Sequence, residues 1–172
     1  MPNATTLIQR QTVSGSSTGT VSFTSIPQTY QDLRIVTSHR ISTTTGGDYL
    51  AIRFNSDTGS NYLTLRWFGA NSVGTLSGVG YGHIGNTGGG TTVNSSAFSI
   101  SEADILSYSV SGINKSWLYE NGLADNDTDI LYFQGVGSWA NTSAITRIDL
   151  IAGSSGGNFT AGSTFSLWGT TI

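Results

Sequence analysis

Three patterns in this sequence have residue types and spacings that could support chemistry. Gly80-Tyr81-Gly82-His83-Ile84-Gly85 spells G-x-G-x-x-G, the glycine spacing with which a strand-to-helix turn holds a dinucleotide pyrophosphate on helix N–H groups. That chemistry needs a helix next, and Asn86-Thr87-Gly88-Gly89-Gly90 cannot start one. The segment reads as a loop. Ser17 and Ser155 each sit in G-x-S-x-G, which exposes a nucleophilic hydroxyl only where a strand turns into a helix and a histidine follows. No histidine follows Ser155, and no helical pattern follows Ser17. Asp125, Asp127 and Asp129 alternate like the first three ligands of a calcium loop. The sixth and twelfth positions are Ile130 and Val136, where that loop requires glycine and glutamate. Solvated turn carboxylates are expected there.

The two histidines, His39 and His83, have no neighbours at metal-ligand spacing, and no pair of carboxylates poised for glycoside hydrolysis emerges from spacing. The chain has no cysteine, so thiolate chemistry, disulfides and Cys-based zinc sites are excluded. The expectation is a protein without catalytic residues, cofactor or metal.

The elements that would position any site are strands. Leu50, Ile52 and Phe54 alternate with Ala51 and Arg53; Leu63, Leu65 and Trp67 with Tyr62, Thr64 and Arg66; Trp117 and Tyr119 with Leu118 and Glu120; Phe165 and Leu167 with Ser166 and Trp168. Leu33 and Ile35, Val21 and Phe23, and Phe98 and Ile100 continue the period of two that marks a strand with one buried face. Clusters of Gly, Asn, Ser and Thr separate these runs at Ser14–Gly19, Thr43–Asp48, Asn55–Asn61, Gly85–Thr92, Asn121–Thr128 and Gly153–Asn158. Only Ser101–Ser107 hints at a helical turn, with Ser101 as cap and Glu102 and Asp104 in its first turn. Short strands at this spacing make an all-β fold, an antiparallel β-sandwich. The whole chain, 1–172, is expected to be one such domain, with 1–12 as an N-terminal arm or edge strand.

Composition narrows the partners. Charged residues are 10% of the chain and the net charge is −3, against about 25% charged residues in ordinary soluble domains. Lys115 is the only lysine and the arginines are dispersed, so the cation cluster that replaces phosphate counterions on nucleic acid is missing. No apolar run reaches the 18 residues or so of a membrane helix. The first residues, Met-Pro-Asn-Ala-Thr-Thr, have neither the basic flank nor the apolar stretch of a secretion signal. An outer sheet face so poor in Lys and Glu lacks the usual protection against edge-to-edge pairing, which favours edges covered by partners. Among the aromatics, Trp67 and Trp117 alternate with polar residues and are expected in the core. Trp139 follows Gly135-Val136-Gly137-Ser138 and is expected at a loop, as an exposed anchor for a partner or a sugar ring. Tyr81, with Leu7, Ile8 and Arg10 of the N-terminal segment, completes the candidate contacts.

Four stretches carry a resemblance: Ser25-Ile26-Pro27-Gln28-Thr29-Tyr30-Gln31-Asp32-Leu33; Arg53-Phe54-Asn55-Ser56-Asp57-Thr58-Gly59-Ser60-Asn61-Tyr62; Ala140-Asn141-Thr142-Ser143-Ala144-Ile145-Thr146-Arg147-Ile148; and the closing Phe165-Ser166-Leu167-Trp168-Gly169. In order and spacing the chain resembles small virion structural proteins of tailed bacteriophages, decoration or tail-associated, from about residue 5 to its end. The resemblance implies a jelly-roll-like sandwich, often a homotrimer. It also implies a place in the virion after assembly in the host cytoplasm. The function expected is a capsid decoration (cement) protein that binds the major capsid protein, with neither nucleic acid nor membrane as partner. The alternative is a tail- or fibre-borne receptor-binding module that recognises glycan.

Overall fold

The computed structural model describes residues 4–15, 18–42, 48–68, 72–87, 96–125, 129–153 and 156–171. Twelve strands are found among them: β1 (Ala4–Thr12), β2 (Thr20–Phe23), β3 (Asp32–His39), β4 (Asp48–Phe54), β5 (Tyr62–Phe68), β6 (Ser72–Val79), β7 (Gly82–Thr87), β8 (Ser99–Leu106), β9 (Lys115–Asp125), β10 (Asp129–Trp139), β11 (Ile148–Ala152) and β12 (Thr164–Thr171). They form an eight-stranded sheet in the order β1-β12-β3-β8-β9-β10-β5-β6 and a four-stranded sheet in the order β2-β11-β4-β7, all pairs antiparallel.

The connectivity explains the width of the larger sheet. Within the two sheets the quartets β1-β12-β3-β8 and β2-β11-β4-β7 have the strand order of the double Greek key of a jelly roll, the chain crossing between them except from β4 to β7, which stay in the smaller sheet. Two hairpins lie outside that alternation. The pair β5–β6 leaves between β4 and β7, and β9–β10 between β8 and β11; both add to the β8 side. The N-terminal segment is an edge strand, β1, paired with β12.

One core cluster fills the space between the sheets. At one end Phe54 meets Trp117 and Trp139, each at 5.5 Å between ring centroids, and Tyr62 stacks on Trp139. At the other, Phe159 and Phe165 pack at 4.7 Å beside the ring of His39. Trp117 and Trp139 are the largest fully buried side chains, and truncating such a residue costs about 3–5 kcal/mol. The indole N–H of each has a partner, as burial demands. Trp117 donates to the His83 carbonyl at 3.0 Å and Trp139 to Asp57 Oδ2 at 2.8 Å.

Three sequence expectations are corrected here. Trp139 is wholly buried, because the glycines before it belong to a strand and not to a loop. Ser101–Ser107 holds no helical turn: it runs into β8, where Ser99, Ser101, Ala103 and Ile105 point inward and Ile100, Glu102 and Leu106 outward. In β5 the alternation is as read but its sense is reversed. Tyr62 and Thr64 are buried, whereas Leu63, Leu65 and Trp67 are 48%, 45% and 49% exposed. Two of the glycine and asparagine clusters also begin later than expected, since β7 takes in Gly85–Thr87 and β9 takes in Asn121–Asp125. For Gly80–Gly85 the outcome is a turn that runs directly into the strand β7.

Candidate functional site

The reversed sense of β5 opens onto the most distinctive surface of the molecule, the outer face of the eight-stranded sheet. Cross-strand register places the side chains of this face in rows. Val136 stands opposite Leu65 on one side and Leu118 on the other. Leu118 stands opposite Asp104, Asp104 opposite Arg34, Arg34 opposite Trp168, and Trp168 opposite Leu7. The parallel row runs Val73, Trp67, Gln134, Glu120, Glu102, Val36, Ser166 and Arg10.

The two halves of the face differ in chemistry. Over the added hairpins, Leu63, Leu65, Trp67, Val73, Leu118 and Val136 are each 40–60% exposed, and all of these but Leu63 line a depression of about 560 Å³ whose far side is Arg34, Glu102, Asp104 and Glu120. Together they present on the order of 500 Å² of apolar surface, the size of patch that marks an interaction site on a monomer. Burial inside was open to these side chains, since the strand needed only the opposite register. Their outward placement therefore makes this patch the candidate contact surface.

Over the jelly-roll strands the face is polar and aromatic. Arg34 grips Asp104 in a fork, Nε to Oδ1 and NH2 to Oδ2, each at 2.7 Å, and NH1 reaches Glu102 at 2.8 Å. The Asp104 bond leads in holding the guanidinium above its ordinary pKa. These side chains are 38–48% exposed, so the pairs are screened by water and orient more than they stabilise. Glu120 stands directly opposite Glu102, and both Glu120 and Tyr132 line the same depression; desolvation first, then the Glu120 charge, raise the Tyr132 phenol's pKa. A depression of about 740 Å³ lies over this half, lined by Arg10, Arg34, Ile100, Glu102, Glu120, Tyr132 and Trp168, among others.

A second polar cluster lies at the edge between the sheets. The His83 ring stacks at 3.9 Å on Tyr49, whose hydroxyl meets that of Tyr81 at 2.6 Å. Arg66 NH1 lies 3.1 Å from His83 Nδ1. A guanidinium only donates, so Nδ1 accepts and the ring proton sits on Nε2, which is buried without a partner. Desolvation first, then the Arg66 charge, lower the His83 pKa to about 3. The imidazole is a neutral, packed part of the interior.

Of the contacts expected from sequence, Leu7 is exposed and Arg10 lines the larger depression. Ile8 is partly buried. A bulge between Leu7 and Gln9 turns it toward the core, against which it packs. Tyr81 is half-buried in its stack on Tyr49. Trp139, the expected exposed anchor, is instead held inside by Asp57. Ser17, Ser155 and Asp127 lie outside the described residues, and among the described residues no group of three or more His, Asp or Glu side chains could hold a metal ion. The sequence reading missed Trp67, Leu65, Leu118 and the Glu102–Glu120 pair. The one signal available was an unusually apolar alternate set in β5.

The fold class is thus an antiparallel jelly-roll sandwich whose larger sheet is widened by two hairpins with an apolar outer face. Comparison with known proteins finds no family model, no curated protein and no solved structure that matches the chain.

Proposed function

We propose that this chain is a structural part of a bacteriophage virion, a capsid decoration protein that works by binding and not by catalysis. The apolar outer face of β5, β6, β9 and β10 is the observation that carries this reading. Its order of 500 Å² is more than half of the roughly 800 Å² that each partner contributes to a standard interface. The occupant is the protein shell, built of the major capsid protein, with sister subunits of a trimer at neighbouring positions. The resemblance read from the sequence supplies the virion, the shell and the trimer; the exposed side chains supply the face. Several contacts of moderate strength on one particle would give a high avidity.

Intact particles test this by electron microscopy and by heating with and without the protein. The expected result is density for the sandwich on the shell, its widened sheet facing inward, and a lower melting temperature for particles that lack it. Trp67→Lys and Leu65→Lys proteins should stay folded, since both side chains are already half exposed, but leave the particle. Density on the tail alone, or retention of both variants, overturns the assignment.

A further inference from the structure

We propose that the 740 Å³ depression over the other half of the same face binds a neutral oligosaccharide. The site shares Arg34, Glu102 and Glu120 with the neighbouring 560 Å³ depression but none of the exposed apolar side chains of the docking patch, and it does not depend on the docking assignment.

Its position sets the first constraint. The depression lies on the face of a sheet in which every lining strand except the edge strand β1 is paired on both sides, so over those strands the main chain is already taken up by the ladder, and a ligand lying on the face is read by side chains. Lining residues run from Arg10 on β1 to Tyr132 on β10, five interstrand steps of about 4.8 Å each. That span suits an oligosaccharide better than a single sugar.

Charge sets the second. Arg10 and Arg34 are balanced by Glu102 and Glu120 within the lining. A polyphosphate or acidic glycan would meet two carboxylates, and a basic ligand two guanidinium groups. A neutral ligand that both donates and accepts satisfies all four, and vicinal hydroxyls do so: they donate to a carboxylate and accept from a guanidinium. The third constraint is apolar. The half-buried Trp168 and half-exposed Tyr132 stand toward opposite ends of the lining, offering flat ring faces on which the C–H side of a pyranose can lie.

The site is also held in place before any ligand arrives. Arg34 is fixed by Asp104 and Glu102, which reduces the side-chain ordering that binding must otherwise supply. Sequence alone could not show this, because the residues come from strands far apart in the chain.

The test is titration calorimetry and tryptophan fluorescence on the full chain with malto-, cello-, xylo- and mannohexaose, and with an acidic galacturonate hexasaccharide for comparison. At least one neutral hexasaccharide should bind, with the acidic one at least about tenfold weaker. Trp168→Ala and Tyr132→Ala should each weaken binding by about tenfold or more. Glu120→Gln, which keeps the shape of the side chain, should weaken it without lowering the unfolding midpoint. Trp67→Lys should leave it unchanged, which separates this site from the docking patch. The bound sugar should be recovered at full length. No binding of any neutral probe at millimolar concentration, variants within about twofold of the parent, or shortened products would each overturn the proposal.

Discussion

Trp139 donates its indole N–H to Oδ2 of Asp57 at 2.8 Å. The same carboxylate accepts from the Gly59 amide and the Asn61 side chain, both at 2.8 Å. The β4–β5 turn is therefore built around one acid that also anchors the buried end of β10. Asp57→Ala would leave the Trp139 N–H buried without an acceptor. The expected cost is about 1–3 kcal/mol, read as a lower midpoint in urea with an unchanged slope. Those bonds, with Asn61 the largest contribution, keep the Asp57 pKa below the ordinary carboxylate value. The stability they add is present at neutral pH and lost as pH falls through that lowered pKa.

Gly137 faces Trp117 across the β9–β10 ladder, and a Cβ added there would lie 1.9 Å from the indole ring. Trp117 is fully buried and cannot withdraw. Gly137→Ala should therefore cost about 3 kcal/mol, the upper end of ordinary overpacking penalties, and lower the melting temperature by roughly 6–12 °C for a chain of this size. Gly122→Ala on the neighbouring strand meets nothing closer than 3.4 Å and should melt within a degree or two of the parent. Calorimetric melts of the two variants make the comparison.

These residues also show what the sequence made legible. The period of two identified nearly every strand because a half-buried sheet leaves that mark on composition. It misjudged the two places where glycine and leucine have more than one use. Gly135 and Gly137 looked like a loop because glycine weakens strands, yet here they make room for Tyr119 and Trp117. In β5 the more apolar set points outward, so ranking the two faces by hydrophobicity chose the wrong one, and the surface that departs from the rule is the candidate site. Three of the four stretches that carry the resemblance tie loops together. Asn55 accepts from the amides of Thr146 and Arg147, Gln28 donates to the Ile145 carbonyl, and Gln31 donates through its amide to Thr170. What was readable as a motif was a device for holding one end of the sandwich closed. The polar half of the site left no such mark, since Arg34, Glu102, Glu120 and Trp168 meet only through pairing between distant strands.

Acid should unfold the protein earlier than its few carboxylates alone would suggest. His39 and His83 are buried, and desolvation lowers the pKa of each to about 3, against about 6.5 in an unfolded chain. Between these values the unfolded state binds more protons, so stability falls as pH falls, by up to about 1.4 kcal/mol per pH unit for each histidine. Urea midpoints measured from pH 7 to pH 4 should decline steeply. His83→Gln should remove about half of that slope, whatever it does to the midpoint at pH 7. A flat profile in the parent protein would mean that the two rings are not shielded from protons as described.

Arg34 pairs with both Glu102 and Asp104, and its removal exposes a conflict that the sheet's register creates. Glu102 and Glu120 are opposite one another, an arrangement that costs a few tenths to about 1 kcal/mol for like charges. Arg34→Met keeps most of the aliphatic stem and deletes the charge. At pH 7 and low salt the variant should be less stable by about 1 kcal/mol, a modest figure because these side chains are nearly half exposed and screened. The difference should shrink in 1 M salt, where the screening length is about 3 Å. A loss that persists at high salt would assign Arg34 to packing of its stem, and the charge network on this face would then have no energetic role.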